Sequence, residues 1–199
     1  MNTYVAVTLA AGDIPWGVVA PIGIVVLLAL WAMGIYNGLV RKRNHVDKTW
    51  ADVETQLKRR YDLIPNLVET VKGYAAHEKE TLEAVIQARN AAASPHATPA
   101  GAAKADNMLT GALRQLFAVS ERYPDLKANQ NFMQLQQELA ATEDRIQGAR
   151  SVYNGSVKDY NIAVETFPAN VVAGMFGFDK REFFEIEDEA QRDAPEVKF

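Results

Sequence analysis

NFMQLQQELAATEDRIQGARSVYNGSVKDYNIAVETF, residues 131–167, carries the pattern that decides the fold. Phe132, Leu139, Ile146, Tyr153, Tyr160 and Phe167 follow one another at intervals of seven without exception. Leu135, Thr142, Ala149, Ser156 and Ala163 follow the first five of them by three. One row is large and the other mostly small. A sustained heptad of this kind predicts a helix of about 54 Å. It also predicts left-handed knobs-into-holes packing, with neighbours crossing at about 20° and approaching closely over the small row. Gly148 and Gly155 each lower helix propensity by about 1 kcal/mol. They mark either contact points or tolerated surface positions.

Moving upstream, Asn131 followed by Gln134 resembles a capping box, with Asn in place of the usual Ser or Thr. YPDLKANQN, 123–131, reads as a connector. A third helix is expected over 104–122, with Leu109, Leu113, Leu116 and Val119 inward. ASPHATPAGAA, 93–103, is rich in Pro, Gly and Ala and reads as a loop. A second helix is expected from Pro65 to Ala93, turning inward Val68, Val71, Ala75, Leu82 and Val85. Pro65 disfavours a helical Ile64, so YDLIPNLVE reads as a tight turn, with a kink as the alternative. In the first helix Leu39, Val46 and Val53 repeat every seven. So do Tyr36, Trp50, Leu57 and Ile64, apart from the basic residue at 43.

This first helix continues from an apolar run. No charged residue occurs from Ile14 to Tyr36. About 23 helical residues cover roughly 34 Å, enough for a hydrocarbon core of about 30 Å. Trp16, Trp31 and Tyr36 lie near its ends, where amphipathic rings favour the interface. A cleaved signal peptide would need a basic leading segment and a shorter apolar core. Residues 1–13 hold neither Lys nor Arg. A buried core helix is the remaining alternative to a membrane anchor. Arg41, Lys42, Arg43 and Lys48 follow the run, and Asp13 precedes it. The positive-inside rule then predicts an outside N-terminus (1–13), a span over 14–36 and a cytoplasmic remainder. The basic cluster also suits anionic headgroups.

The expected fold is therefore all-α: an N-terminal transmembrane helix, a cytoplasmic up-and-down four-helix bundle over 37–178, and an acidic aromatic tail over 179–199. The first helix leaves the membrane, so the fourth should return to it. That places FPANVVAGMFGFDKREFFE, 167–185, beside the bilayer. Its first twelve residues contain neither a nucleophile nor a titratable group, which weighs against a reactive site. It reads as a flap over the bundle end, a membrane-surface segment or a partner-docking surface. Phe176, Phe178, Phe183 and Phe184, together with Arg41, Lys42 and Arg43, are the candidate residues for such contact.

Composition closes other routes. The net charge of −4 argues against a nucleic-acid partner. There is no cysteine, which removes disulfides, thiolate chemistry and lipidated cysteine. His77 opens a zincin-like HEKET but lacks a second His at i+4. Neither it nor His45 nor His96 completes a Glu-x-x-His pair, so no metal or other cofactor is expected. No P-loop, dinucleotide fingerprint or nucleophile elbow occurs. The carboxylates read as a solvated helix face. Tyr153 and Tyr160 read as core with tethered hydroxyls. Asn154-Gly-Ser156 matches a glycosylation sequon that a cytoplasmic helix would not present.

YNGLVRKRNHVDKTWADVETQLKRRYDLIPNLVETVKGYAAHEKETLEAVIQAR, 36–89, resembles the bacterial LemA family. YPDLKANQNFMQLQQELAATEDRIQGARSVYN, DYNIAVETFPANVVAGMFGF and the terminal AP-x-V-x-F extend the resemblance over 36–199. It implies a membrane-tethered four-helix bundle of the bacterial inner (plasma) membrane, with no catalytic residues to carry over. It implies an adaptor or scaffold role; some relatives are linked to magnetosome membranes, and many sit beside membrane proteases or small membrane proteins. Some relatives replace the span with a lipidated cysteine, and this chain departs from them. The expectation is a non-enzymatic scaffold that tethers partner proteins, with the bilayer, further copies of itself and an unidentified membrane protein as partners. A regulatory partner of a membrane protease and an unrecognised enzyme in the bundle core are the alternatives.

Overall fold

The computed structural model describes residues 16–96 and 98–185, with side chains from Val19 onward. The expected outer segment 1–13 and the tail beyond residue 185, including AP-x-V-x-F, lie outside the described residues. Six helices follow one another: α1 (Trp16–Lys72), α2 (Lys79–Ala93), α3 (Pro99–Ser120), α4 (Pro124–Lys127), α5 (Gln130–Glu165) and α6 (Ala169–Phe176). No strand occurs among the described residues.

α1 is one helix of 57 residues, about 86 Å long at 1.5 Å per residue. From Val19 to Trp31 its side chains stand exposed. Packing begins at Ala32 and becomes continuous through Leu39, Val46, Val53, Leu57, Ile64, Leu67 and Val71, all buried. The expected turn at Pro65 does not form, because Pro65 lies inside α1. A helical proline removes the amide that would bond to the carbonyl four residues earlier. Here that carbonyl is Tyr61 O, and Arg89 Nε from α2 donates to it at 3.3 Å. The second helix therefore starts later than expected. The break falls at Gly73–Glu78, where Ala75 N–H closes onto Val71 O at 2.8 Å.

The third helix begins earlier than expected, at Pro99. Thr98 caps it by accepting from Gly101 N–H at 3.1 Å, and proline suits the first helical position. The connector before α5 contains one turn, α4, which buries Leu126. The cap of α5 is Asn129 rather than Asn131. Its Oδ1 accepts from Phe132 N–H at 3.0 Å, and Nδ2 donates to Tyr74 Oη at 2.9 Å across the end of the bundle remote from the charge-free run.

α5 runs antiparallel along α1: Arg60 meets Glu143, Thr49 meets Ser156, and Trp31 and Ile35 lie beside Ile162 and Phe167. The α2–α3 hairpin packs against this pair, with α2 on α1. The large heptad row is buried from Phe132 to Tyr160. Phe167 breaks from it at 77% exposure, because α5 ends at Glu165 and the Thr166–Pro168 turn redirects the chain. A Cβ at Gly148 or Gly155 would meet nothing within 4 Å, so both are surface positions. α5 thus ends beside the charge-free part of α1, and α6 folds across that junction.

Candidate functional site

After α6 the chain reverses at Gly177, whose φ of 68° is a left-handed helix end. Phe178 N–H returns to Ala173 O at 3.0 Å. Residues 178–185 then form a strap over the groove between α1 and α5, running back along α5. Asn161 grips it by donating Nδ2 to Arg181 O at 2.9 Å and accepting from Arg181 N–H at 2.9 Å. Asn154 repeats this on Phe184, donating at 3.0 Å and accepting at 2.9 Å. Tyr160 Oη donates to Asp179 O at 3.0 Å, and Tyr153 Oη to Glu182 O at 2.7 Å. Side chains seven apart on the helix thus hold backbone groups three apart on the strap. Burial pushes the Tyr153 phenol up to about 12, and Tyr160 is raised for the same reason, so both remain donors. Arg181 Nη2 reaches Asp47 on α1 at 2.9 Å, and Lys180 pairs with Glu165.

The strap divides the aromatic candidates. Phe184 is buried against Trp50, with ring centroids 5.9 Å apart. Phe178 is buried beside Tyr36 at 5.5 Å. These two rings cannot face lipid or a partner in this conformation; they hold the strap to the core. Phe176 lies 4.9 Å from Tyr36 but remains largely exposed. Phe183 stands partly exposed toward Lys104 and Met108 of α3. Arg43 lies over the Phe178 ring at 5.2 Å, a cation–π contact. Arg41 and Lys42 are exposed on α1.

Farther from this junction, Arg60 is 4% exposed and joins three helices. Its Nη1 donates to Asp106 Oδ1 and Oδ2 at 3.1 and 3.2 Å and lies 3.0 Å from Glu143 Oε2. Nη2 donates to Thr110 Oγ1 at 2.8 Å. Burial raises the Asp106 carboxyl to about 6, while the Arg60 charge opposes that rise. Burial also raises the neighbouring Tyr61 phenol. The group satisfies a buried cation, and it offers no nucleophile set beside a base. Among the described residues, no three side chains of metal-binding type gather. At the α1–α5 crossing, Thr49 and Ser156 share a contact of 2.8 Å.

The LemA family model matches residues 49–199. This chain belongs to the LemA family. It is 28% identical over 144 residues to Protein LemA of Metamycoplasma hominis, covering 71% of this chain and 64% of the relative. It is 27% identical over 174 residues to Magnetosome protein MamQ of Magnetospirillum gryphiswaldense, covering 75% and 64%. Magnetosome protein MamQ 2 of Paramagnetospirillum magneticum is 25% identical over 193 residues, covering 84% and 71%. The chain thus spans 64% to 71% of the length of these LemA and MamQ relatives.

The LemA match contains the strap, its four tyrosine and asparagine anchors and all four candidate phenylalanines, while Arg41, Lys42 and Arg43 precede it. Two features of this LemA-family chain escaped sequence reasoning. The strap anchors had a signal, the dipeptide Tyr-Asn repeated seven residues apart at 153–154 and 160–161. The Arg60 group had a fainter one: Arg60 lies three after Leu57 and four before Ile64, within the inward stripe rather than the solvated face.

Proposed function

We propose that this protein is a non-enzymatic, membrane-anchored helical scaffold that tethers partner proteins at a bacterial inner membrane. The observation that carries the reading is the continuity of α1, whose charge-free exposed run passes without a break into the bundle core. Its apolar stretch has a mean hydropathy of 2.2 and is long enough to cross a bilayer. Anchor and bundle share one rod, so the bundle stands at a fixed distance above the surface. Confinement to that surface raises the effective concentration of any bound partner. The basic residues after the span support a cytoplasmic bundle by the positive-inside rule, and the up-and-down arrangement of α1, α2, α3 and α5 supplies long solvent-facing helical surfaces. The magnetosome names of two relatives support a membrane location.

The test is in-cell crosslinking in native membranes, read by mass spectrometry, with protease protection of tags at each end. Crosslinks from α2, α3 or α5 to membrane proteins, or to further copies of the chain, support the scaffold. A purified protein that partitions into the soluble fraction overturns the anchor. A stoichiometric membrane protease as the sole crosslinked partner replaces the scaffold with a regulatory subunit.

A further inference from the structure

α6 and the turn before it carry an outward face for which α1 and α5 provide no cover. Phe167, Val171, Met175 and Phe176 are between 54% and 77% exposed. No charged residue occurs between Glu165 and Asp179. The opposite face is fixed, with Val172 and Ala173 buried, and Phe176, at the border of the two faces, stands edge-on to Tyr36. α6 is therefore a short amphipathic helix clamped to the end of α1's charge-free run.

Its height relative to a bilayer follows from lengths. A hydrocarbon core of about 30 Å requires about 20 helical residues. Counted from Trp16, where α1 begins, these reach Ile35. The unaccompanied helix stops earlier, at Trp31. The segment that completes the span is the one bordered by Phe167, Pro168 and Ala169 at Trp31 and Ile35 and by Phe176 at Tyr36. The first charge on α1 comes only at Arg41, about 7 Å farther along the axis than Tyr36. A spanning α1 thus carries the end of α5 and the whole of α6 into the membrane margin.

We infer that α6 and the turn before it form a second membrane contact: Phe167 of the turn and Val171, Met175 and Phe176 of α6 insert among the acyl chains beside the span. One rod alone leaves the bundle free to tilt and rotate about its axis. A second apolar contact alongside it fixes both angles, so the partner-facing helices keep a set orientation above the surface. Short apolar faces at the interface bind in this way when lipid covers them. The inference rests on reading α1 as a span.

The native chain contains no cysteine, so single cysteines report cleanly. Full-length Met175→Cys, Phe167→Cys, Leu27→Cys and Val152→Cys proteins are labelled with an environment-sensitive fluorophore. They are reconstituted in phosphatidylcholine–phosphatidylglycerol vesicles containing lipids spin-labelled near the top of the acyl chain, to report on 167 and 175, or near its middle, to report on 27. The expected result is quenching at 175 and 167 several-fold above that at 152, an exposed position on α5 far from the junction. Quenching at 27 without quenching at 175 or 167 overturns the α6 contact and leaves the anchor standing. No quenching at 27 overturns both. A blue-shifted but unquenched label at 175 assigns this face to a protein and equally overturns lipid occupancy. Circular dichroism confirms that each labelled chain is folded before it is scored.

Discussion

Replacing Asn154 with Ala removes both hydrogen bonds that hold the Phe184 backbone. A hydrogen bond contributes about 1 kcal/mol net, so the half-buried Asn154 pair is worth about 2 kcal/mol. The exposed Asn161 pair loses more of its worth to water and comes to about 1 kcal/mol. These losses act on strap opening, since the α1–α5 core lies beneath and keeps its own contacts. Native-state hydrogen exchange reads the effect at the Arg181 and Phe184 amides, whose acceptors are the two asparagine side chains. Because about 1.4 kcal/mol is tenfold, Asn154→Ala should speed exchange at Phe184 by about 30-fold and Asn161→Ala that at Arg181 by about fivefold. The strap is held at both ends by the same device, so it should open as one unit, and each single variant should speed exchange at both amides. Amides of Leu139 and Ile146 in mid-α5 should keep their protection. Exchange at Phe184 that is unchanged by Asn154→Ala would refute the claim that these carboxamides hold the strap. Loss of protection throughout α5 would refute the claim that the strap opens apart from the core.

Three further outcomes follow from the geometry. The Asp106 carboxyl is raised from 3.8 to about 6, so the folded state holds its proton more tightly than the unfolded chain; stability from this group is full below about pH 4 and falls as pH rises through about 6, by about 3 kcal/mol at most. Denaturant titrations in detergent should show this decline in the native protein and lose it in Asp106→Asn. Arg89→Met should cost about 1 kcal/mol by leaving Tyr61 O without its donor; in a Pro65→Ala background the restored amide takes that carbonyl, and the same substitution should cost close to nothing, a coupling read by a double-mutant cycle. Gly177→Ala should lower stability by about 1–2 kcal/mol, measured as a fall in melting temperature. Its added Cβ meets nothing within 4 Å, so the cost is that of the left-handed backbone at φ 68°.

The core was legible wherever periodicity alone determines burial. Leu39, Val46 and Val53, and the row from Phe132 to Tyr160, are inward because their spacing places them on one stripe. Misreadings came where a distant group overrides a local rule. Pro65 stays helical because Arg89, far along the chain, occupies the carbonyl that the proline abandons. Pro99 opens a helix because Thr98 caps it, so a Pro-rich stretch that reads as a loop is a start signal. Arg60 and Asp106 were hidden because a charged residue in an apolar stripe carries no mark of its partner, which comes from another helix.

The strap was illegible for a deeper reason: its own sequence has no periodicity, and the pattern that receives it is written on α5. A helix and an extended segment can meet repeatedly only where their repeats are commensurate. Seven helical residues advance about 10.5 Å, and three extended residues about 10 Å. Tyr153-Asn154 and Tyr160-Asn161 therefore fall in step with Glu182–Phe184 and Asp179–Arg181. The heptad that seats α5 on α1 also sets the interval at which α5 holds its own C-terminal segment. A single insertion in α5 between residues 154 and 160 would break both registers at once. Moving the Asn pair to the next helical position would break only the second, which separates the strap's contribution from that of the bundle.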